Sequence, residues 1–116
     1  MSAIRRLGSH PRWSDVVIHR GVARWVEVAE DRSTDCLQQT RQVLRQIDET
    51  LQSLSADRSA LLQILVFVTD LAHMDQFNAA WDAWVLPGAA PVRACVQAGL
   101  AGGCLVEVII EAVVPD

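Results

Sequence analysis

Two charged residues stand where the surrounding sequence is apolar. Arg93 lies in Pro91-Val92-Arg93-Ala94-Cys95-Val96-Gln97, and Glu107 lies in Leu105-Val106-Glu107-Val108-Ile109-Ile110. Nine of the ten arginines fall at or before position 58, mostly among polar neighbours, which sets Arg93 apart. A guanidinium on a largely buried strand is costly without a partner. It either closes a structural ion pair or offers parallel N–H donors that fit a carboxylate. Burial of Glu107 disfavours its charged form unless a cation or hydrogen-bond donors hold it. It either pairs with Arg93 or another arginine, or acts as a general acid or base that activates water. Placed on two adjacent strands, the two residues would make a small carboxylate-binding pocket.

Other candidates carry plainer readings. If Val92, Ala94 and Val96 take one face of their strand, Arg93, Cys95 and Gln97 share the other. A thiol near a guanidinium can be acidified, although core filler is the commoner role for such a cysteine. His10, His19 and His73 show no metal-ligand spacing with each other or with Cys36, Cys95 and Cys104. No metal site is therefore expected. Trp81 and Trp84 read as core. Glu111 is either an outward charge or a second interface charge.

Composition narrows the chemistry. There is no lysine, so a lysine Schiff base and a P-loop are both excluded, and there is no tyrosine to serve as a phenolic acid or base. The net charge of −4 and pI near 5.2 argue against a general nucleic-acid partner. The 116 residues suit a single domain over 1–116. Apolar residues make up 51% before the 6 glycines are counted. Apolar residues and glycine together reach only roughly 45–50% in an average soluble domain. Mean hydropathy is +0.20. Such a chain either has an unusually large core or buries surface against copies of itself; the second is expected. The start does not resemble a signal peptide, and the apolar run over Leu61–Val68 is too short to span a bilayer. The expectation is a cytoplasmic protein with reduced thiols and no membrane partner.

These residues need a scaffold, and its elements are legible. Residues 1–12 read as an irregular lead-in. Asp15–His19 and Val22–Val28 form a hairpin around Arg20-Gly21. Asp31–Asp35 is turn and N-cap material. Leu37, Thr40, Leu44, Ile47, Leu51 and Leu54 then recur at helical spacing, with Gln38, Arg41, Arg45, Asp48, Glu49 and Gln52 on the solvent side. Leu61–Val68 reads as a central strand, and Asp70 as a cap for the next helix. That helix carries Met74, Phe77, Trp81 and Trp84 on one face and stops at Pro87-Gly88. A strand over 91–97, a glycine turn at Gly99 and Gly102-Gly103, and a strand over Cys104–Val114 complete the order ββαβαββ. Two βαβ crossovers and a hairpin at each end predict a mixed sheet with both helices on one face.

Several stretches together carry a resemblance. They are Arg12-Trp13-Ser14-Asp15-Val16-Val17-Ile18-His19, Val66-Phe67-Val68-Thr69-Asp70-Leu71, Phe77-Asn78-Ala79-Ala80-Trp81-Asp82-Ala83-Trp84, Pro91-Val92-Arg93, and Leu105-Val106-Glu107-Val108. The pattern resembles the Rid (RidA/YjgF) family of reactive intermediate deaminases over nearly the full chain, and within it a YoaB-like bacterial subgroup. The resemblance implies a chorismate-mutase-like α+β fold and a homotrimer with a barrel-like centre and clefts between subunits. It implies hydrolysis of 2-imino or enamine acids to 2-keto acids and ammonia, without a cofactor. The implied ligand is a small carboxylate-bearing imine, enamine or keto acid. Arg93 matches the arginine that grips the substrate carboxylate, and Glu107 the glutamate that positions water. Cys95 matches a cysteine often found two residues after that arginine. Asn78 matches a family asparagine whose role is structural or pocket-supporting.

Two positions depart from the family pattern. Trp13 occupies the place of a tyrosine near the start, where it lines the implied substrate site without a hydroxyl. Glu27 stands in Val26-Glu27-Val28, where many members have Ser-Gly-Gln, and its charge would oppose an anionic substrate. These changes keep a second reading open: a non-catalytic trimer that binds a small carboxylate metabolite or a protein partner in a regulatory role.

Overall fold

A computed structural model describes residues 3–115. Six strands form one mixed sheet in the order β1-β2-β3-β6-β4-β5, with helices α1 (Cys36–Ser53) and α2 (Met74–Trp84) over it. The strands are β1 (Arg5–Leu7), β2 (Val16–His19), β3 (Val22–Val28), β4 (Leu61–Val68), β5 (Val92–Gln97) and β6 (Val106–Val113). The α+β architecture and the element order agree with the sequence reading.

The turn chemistry explains the local folding. Arg20 and Gly21 both adopt positive φ, 53° and 76°, which closes β2 onto β3 through a two-residue turn matched to strand twist. Asp35 caps α1 by accepting from the Gln38 N–H at 2.9 Å. Asp70 caps a single 3-10 turn, Leu71–His73, that runs straight into α2. The helix ends at Trp84, before the proline-glycine stop.

Three expectations need correction. β1 lies within the stretch expected to be irregular and pairs antiparallel with β2. Its Arg-Arg-Leu sequence has no alternation to reveal it. Secondly, β5 and β6 do not form a hairpin. β6 crosses over and inserts between β3 and β4, antiparallel to both. Its near-continuous apolar run suits the middle of a sheet, whereas β5, which follows Pro91 and carries Arg93 and Gln97, suits an edge. Thirdly, only the β4–α2–β5 crossover yields a parallel pair, because β6 splits the β3–α1–β4 unit.

The two sheet faces differ. Val106, Val108, Ile110 and Ala112 of β6 are fully buried with Ile64, Val66 and Val68 of β4 in the core that includes Val43, Leu44, Ile47, Phe77 and Trp81 from the helices. The opposite face carries no helix among the described residues. The molecule measures 46 × 37 × 21 Å. Its thinnest dimension matches one helix layer on one sheet at about 10 Å each. On the uncovered face Val26, Val92, Val96 and Val113 are all exposed. Among the described residues, no helix is long and apolar enough to cross a membrane.

Candidate functional site

β5 is an outer strand, and Arg93 rises from it on the helix side. Register with Ile64 of β4 brings it over the aromatic face of α2. Its Nη1 donates to Asn78 Oδ1 at 2.8 Å. Its guanidinium carbon lies 5.1 Å from the Trp81 ring centre and 5.7 Å from that of Phe77. The aromatic stripe therefore does more than fill the core: its π faces attract the cation. Among the described residues, Arg93 has no carboxylate within ion-pair distance. Among the described residues the structural ion pair considered from sequence is thus not formed, and Asn78 is the one side chain that accepts from the guanidinium. Cys95, on the same face, is half-buried against the core as a free thiol.

Glu107 belongs to the other face. It sits between Val28 of β3 and Phe67 of β4, half-buried, with no hydrogen-bond or ion-pair partner among the described residues. The expectation that Arg93 and Glu107 occupy adjacent strands is therefore wrong. β4 separates their strands, and the two side chains leave opposite faces of the sheet. Glu111 also lies on the uncovered face, where it accepts from Arg24 Nε at 2.9 Å.

Glu107 opens into a cleft of about 730 Å³ at the end of the β3–β6 pair. Trp13, Trp25, Glu27 and Arg32 share its walls. Trp13 is 60% exposed and stacks on His10 with ring centres 3.6 Å apart. It thus joins Glu107, whereas Asn78 and Cys95 join Arg93. The candidate site residues of this chain thus fall into two separate groups.

Glu27 points toward α1. Its Oε2 accepts from Gln46 Nε2 at 2.8 Å and its Oε1 from Thr50 Oγ1 at 3.1 Å. Burial pushes the carboxyl above its ordinary range, and these two donors pull against that shift. Its negative charge is therefore weakened by burial and engaged by α1, which corrects the picture of a bare charge beside the pocket.

Sequence reasoning missed the residues that brace this cleft. Gln39 is fully buried. Its Nε2 donates to the carbonyls of Arg32, Thr34 and Gly103, and its Oε1 accepts from the Leu105 N–H at 2.9 Å. One amide thereby ties α1 to the loop entering β6, two residues before Glu107. Arg32 adds donors to the carbonyls of Ala29 and Gly102, each at 3.2 Å. Gly102 has φ +68°, and a Cβ there would meet Arg32 Nη1 at 2.5 Å. Gln39 and Gln46 flank the apolar stripe of α1 beside Val43 and Ile47. Their lateral place on that stripe was the available signal.

The family model described as Endoribonuclease L-PSP matches residues 5–114. YoaB of Escherichia coli K12, described as a RutC family protein, is 42% identical over 97 residues, 84% of this chain and 85% of that protein. The chain belongs to the RutC/YjgF (Rid) family. A RutC family protein of Haemophilus ducreyi is 39% identical to this Rid protein over 113 residues, 96% of this chain and 97% of that one. A crystal structure of a YjgF-family protein from Neisseria meningitidis superposes on this Rid chain with a TM-score of 0.91 at 36% identity. The match covers 98% of this chain and 97% of that one. The Rid fold, with its mixed sheet and two helices, is thus shared along almost the whole chain.

Proposed function

We propose that this Rid protein is a homotrimeric hydrolase that deaminates reactive 2-imino and enamine acids to 2-keto acids and ammonia. One observation carries the reading. Arg93 is oriented by Asn78 and two aromatic faces yet has no carboxylate partner among the described residues. A guanidinium so held is a receptor for a planar carboxylate.

In this reading the site forms between subunits. Arg93 of one protomer binds the substrate carboxylate, and Glu107 of its neighbour positions water. Their placement on opposite faces supports this, because one protomer cannot offer both to one small molecule. The exposed valines of the helix-free face, with the high apolar content, support burial between copies.

The chemistry then follows. Arg93 fixes the carboxylate, which orients the adjacent C=N carbon. Glu107 accepts a proton from water as its oxygen attacks that carbon, giving a tetrahedral amino alcohol. Glu107 returns that proton to the amino nitrogen; the C–N bond then breaks with its electron pair leaving on ammonia, while the hydroxyl gives its proton back to Glu107 and the carbonyl forms. Cys95 and Trp13 line the bound substrate, and Asn78 keeps the guanidinium in place. The sequence so written uses no cofactor, and the setting is cytoplasmic.

The Trp13 and Glu27 substitutions favour a second reading, in which the trimer binds a small carboxylate metabolite or a protein partner without turnover. Trapping the imine decides between them. An amino-acid oxidase generates 2-iminopropanoate, and semicarbazide captures what is not hydrolysed. The deaminase reading expects faster loss of trappable imine with wild type and none with Arg93→Ala. Equal trapping with both, from folded trimers, would favour the binding role.

A further inference from the structure

We propose that the outer face of the helix pair is a second contact between copies of this chain, in which α1 of one copy lies over α2 of the other about a two-fold axis. The inference does not rest on the deaminase reading. The face lies across the sheet from Glu107 and from the exposed valines, so it is free whichever assembly those valines build.

The first argument is how charge is divided. On α1, Arg41 and Arg45 are exposed one turn apart. On α2 the exposed charges are Asp75 and Asp82, two turns apart. Among the described residues Arg41, Asp75 and Asp82 have no ion-pair partner. Arg45 meets Glu49 only loosely, at 3.6 Å with both side chains at least 60% exposed. Asp48, farther along α1, is taken by Arg58 at 2.8 Å. An ordinary solvated surface intersperses its signs. This one places cations on one helix and anions on its neighbour, which makes it complementary to itself.

The second argument is level. The two helices run side by side in the same direction. Gln76 of α2 accepts from the Leu37 N–H at the start of α1, and Trp84 at the end of α2 donates to Asp48. Arg45 precedes Asp48 by three residues and Asp82 precedes Trp84 by two, which is about 4.5 Å and 3 Å along the axes. Arg45 and Asp82 are therefore almost level. A two-fold axis along the groove between the helices keeps each level and exchanges the two sides. It sets Arg45 over Asp82 of the copy and Asp82 over Arg45 of the copy, so each such pair is made twice.

The seam is the third. Ala79 and Ala83 are exposed beside the two arginines in a groove of about 240 Å³. Leu44 and Trp84 lie buried in its floor. Methyl groups at the seam let facing helices approach to the near end of the roughly 8–10 Å packing range, where longer side chains would hold them apart.

Size sets the strength. The 11 residues of α2 span about 16 Å and two helices are about 20 Å wide, giving a footprint of roughly 300 Å² per copy. A permanent interface takes about 800 Å² per partner. The contact is therefore weak, reversible and sensitive to salt.

Sedimentation equilibrium of the wild-type chain over a concentration series tests this. In low salt the average mass should rise at least about twofold from the dilute to the concentrated end, and about 0.5 M salt should remove the rise. The double variant Arg41→Glu with Arg45→Glu should lose the rise, and so should Asp75→Arg with Asp82→Arg. All four positions are exposed, so folding is retained. An equal mixture of the two variants should regain the rise, because each supplies the charge the other lacks. Ala79→Gln leaves every charge in place and should still lose the rise, which separates a fitted seam from bare attraction. A wild-type mass constant across concentration and salt would leave this face to a different protein and overturn the proposal. A rise that persists in either double variant alone or in Ala79→Gln, or a mixture that fails to regain it, would overturn it equally.

Discussion

Asn78 holds Arg93 by a 2.8 Å hydrogen bond from Nη1 to Oδ1, across the gap between α2 and the outer strand β5. The bond uses one of five guanidinium N–H groups and fixes the plane of the rest. Asn78 lies one residue from Phe77 and three from Trp81, so a single helix supplies both the hydrogen bond and the π faces.

Removing the guanidinium should therefore affect function far more than stability. Arg93→Ala is expected to abolish imine turnover while changing unfolding free energy by no more than about 1 kcal/mol, because the side chain is exposed. Arg93→Lys should fail nearly as badly, since an ammonium cannot make the planar fork. Asn78→Ala should cost about 1 kcal/mol of transition-state binding, roughly fivefold in kcat/KM. Steady-state kinetics with parallel urea melts checks all three.

Val96 is 47% exposed on the helix-free face. If that face is the contact between copies, Val96→Glu buries an unpaired charge there and should dissociate the trimer. Light scattering coupled to size exclusion reads the mass directly. A trimer retained at micromolar concentration would contradict the assigned interface.

Gln39 should behave as a brace. Gln39→Leu keeps the volume but strands buried carbonyls and the Leu105 N–H, so the expected loss is about 3 kcal/mol in a urea melt. The same variant should lower kcat, because the loop it ties leads directly into Glu107.

Glu27 predicts a pH signature. Burial raises its folded carboxyl above the ordinary 4.5, so the folded state holds this proton more tightly than the unfolded chain does. The resulting stability is present below the ordinary pKa and is lost as pH rises through the raised one. Glu27→Gln lacks this loss. Its stability relative to wild type should grow as pH rises from the ordinary carboxyl value through the raised one, checked by denaturant melts at several pH values.

Local patterns made most elements readable. Alternation in Val22–Val28 gave a strand with those bounds, and the Leu37-to-Leu54 spacing gave α1 to within a residue or two. The order of strands was not readable, because register between β6 and its neighbours depends on which strand best tolerates burial on both sides of the sheet. That hidden order misplaced Arg93 and Glu107 relative to one another. Both were visible as anomalies in apolar strands, yet their opposite faces follow only from register, which aligns Arg93 with Ile64 and Glu107 with Phe67 on β4. Gln39 and Gln46 escaped notice because a buried amide looks polar in sequence and declares itself only through its partners.

The shared site can be tested by mixing two inactive proteins. Arg93→Ala lacks the carboxylate fork, and Glu107→Gln lacks the water-positioning group. Unfolded together at equal amounts and refolded as trimers, they place an intact Arg93 beside an intact Glu107 of a neighbour in about a quarter of the sites. Imine hydrolysis should return to about a quarter of the wild-type rate, from two parents that show none. If mixed trimers form and hydrolysis does not return, Arg93 and Glu107 do not share a site across the subunit boundary, and the account fails.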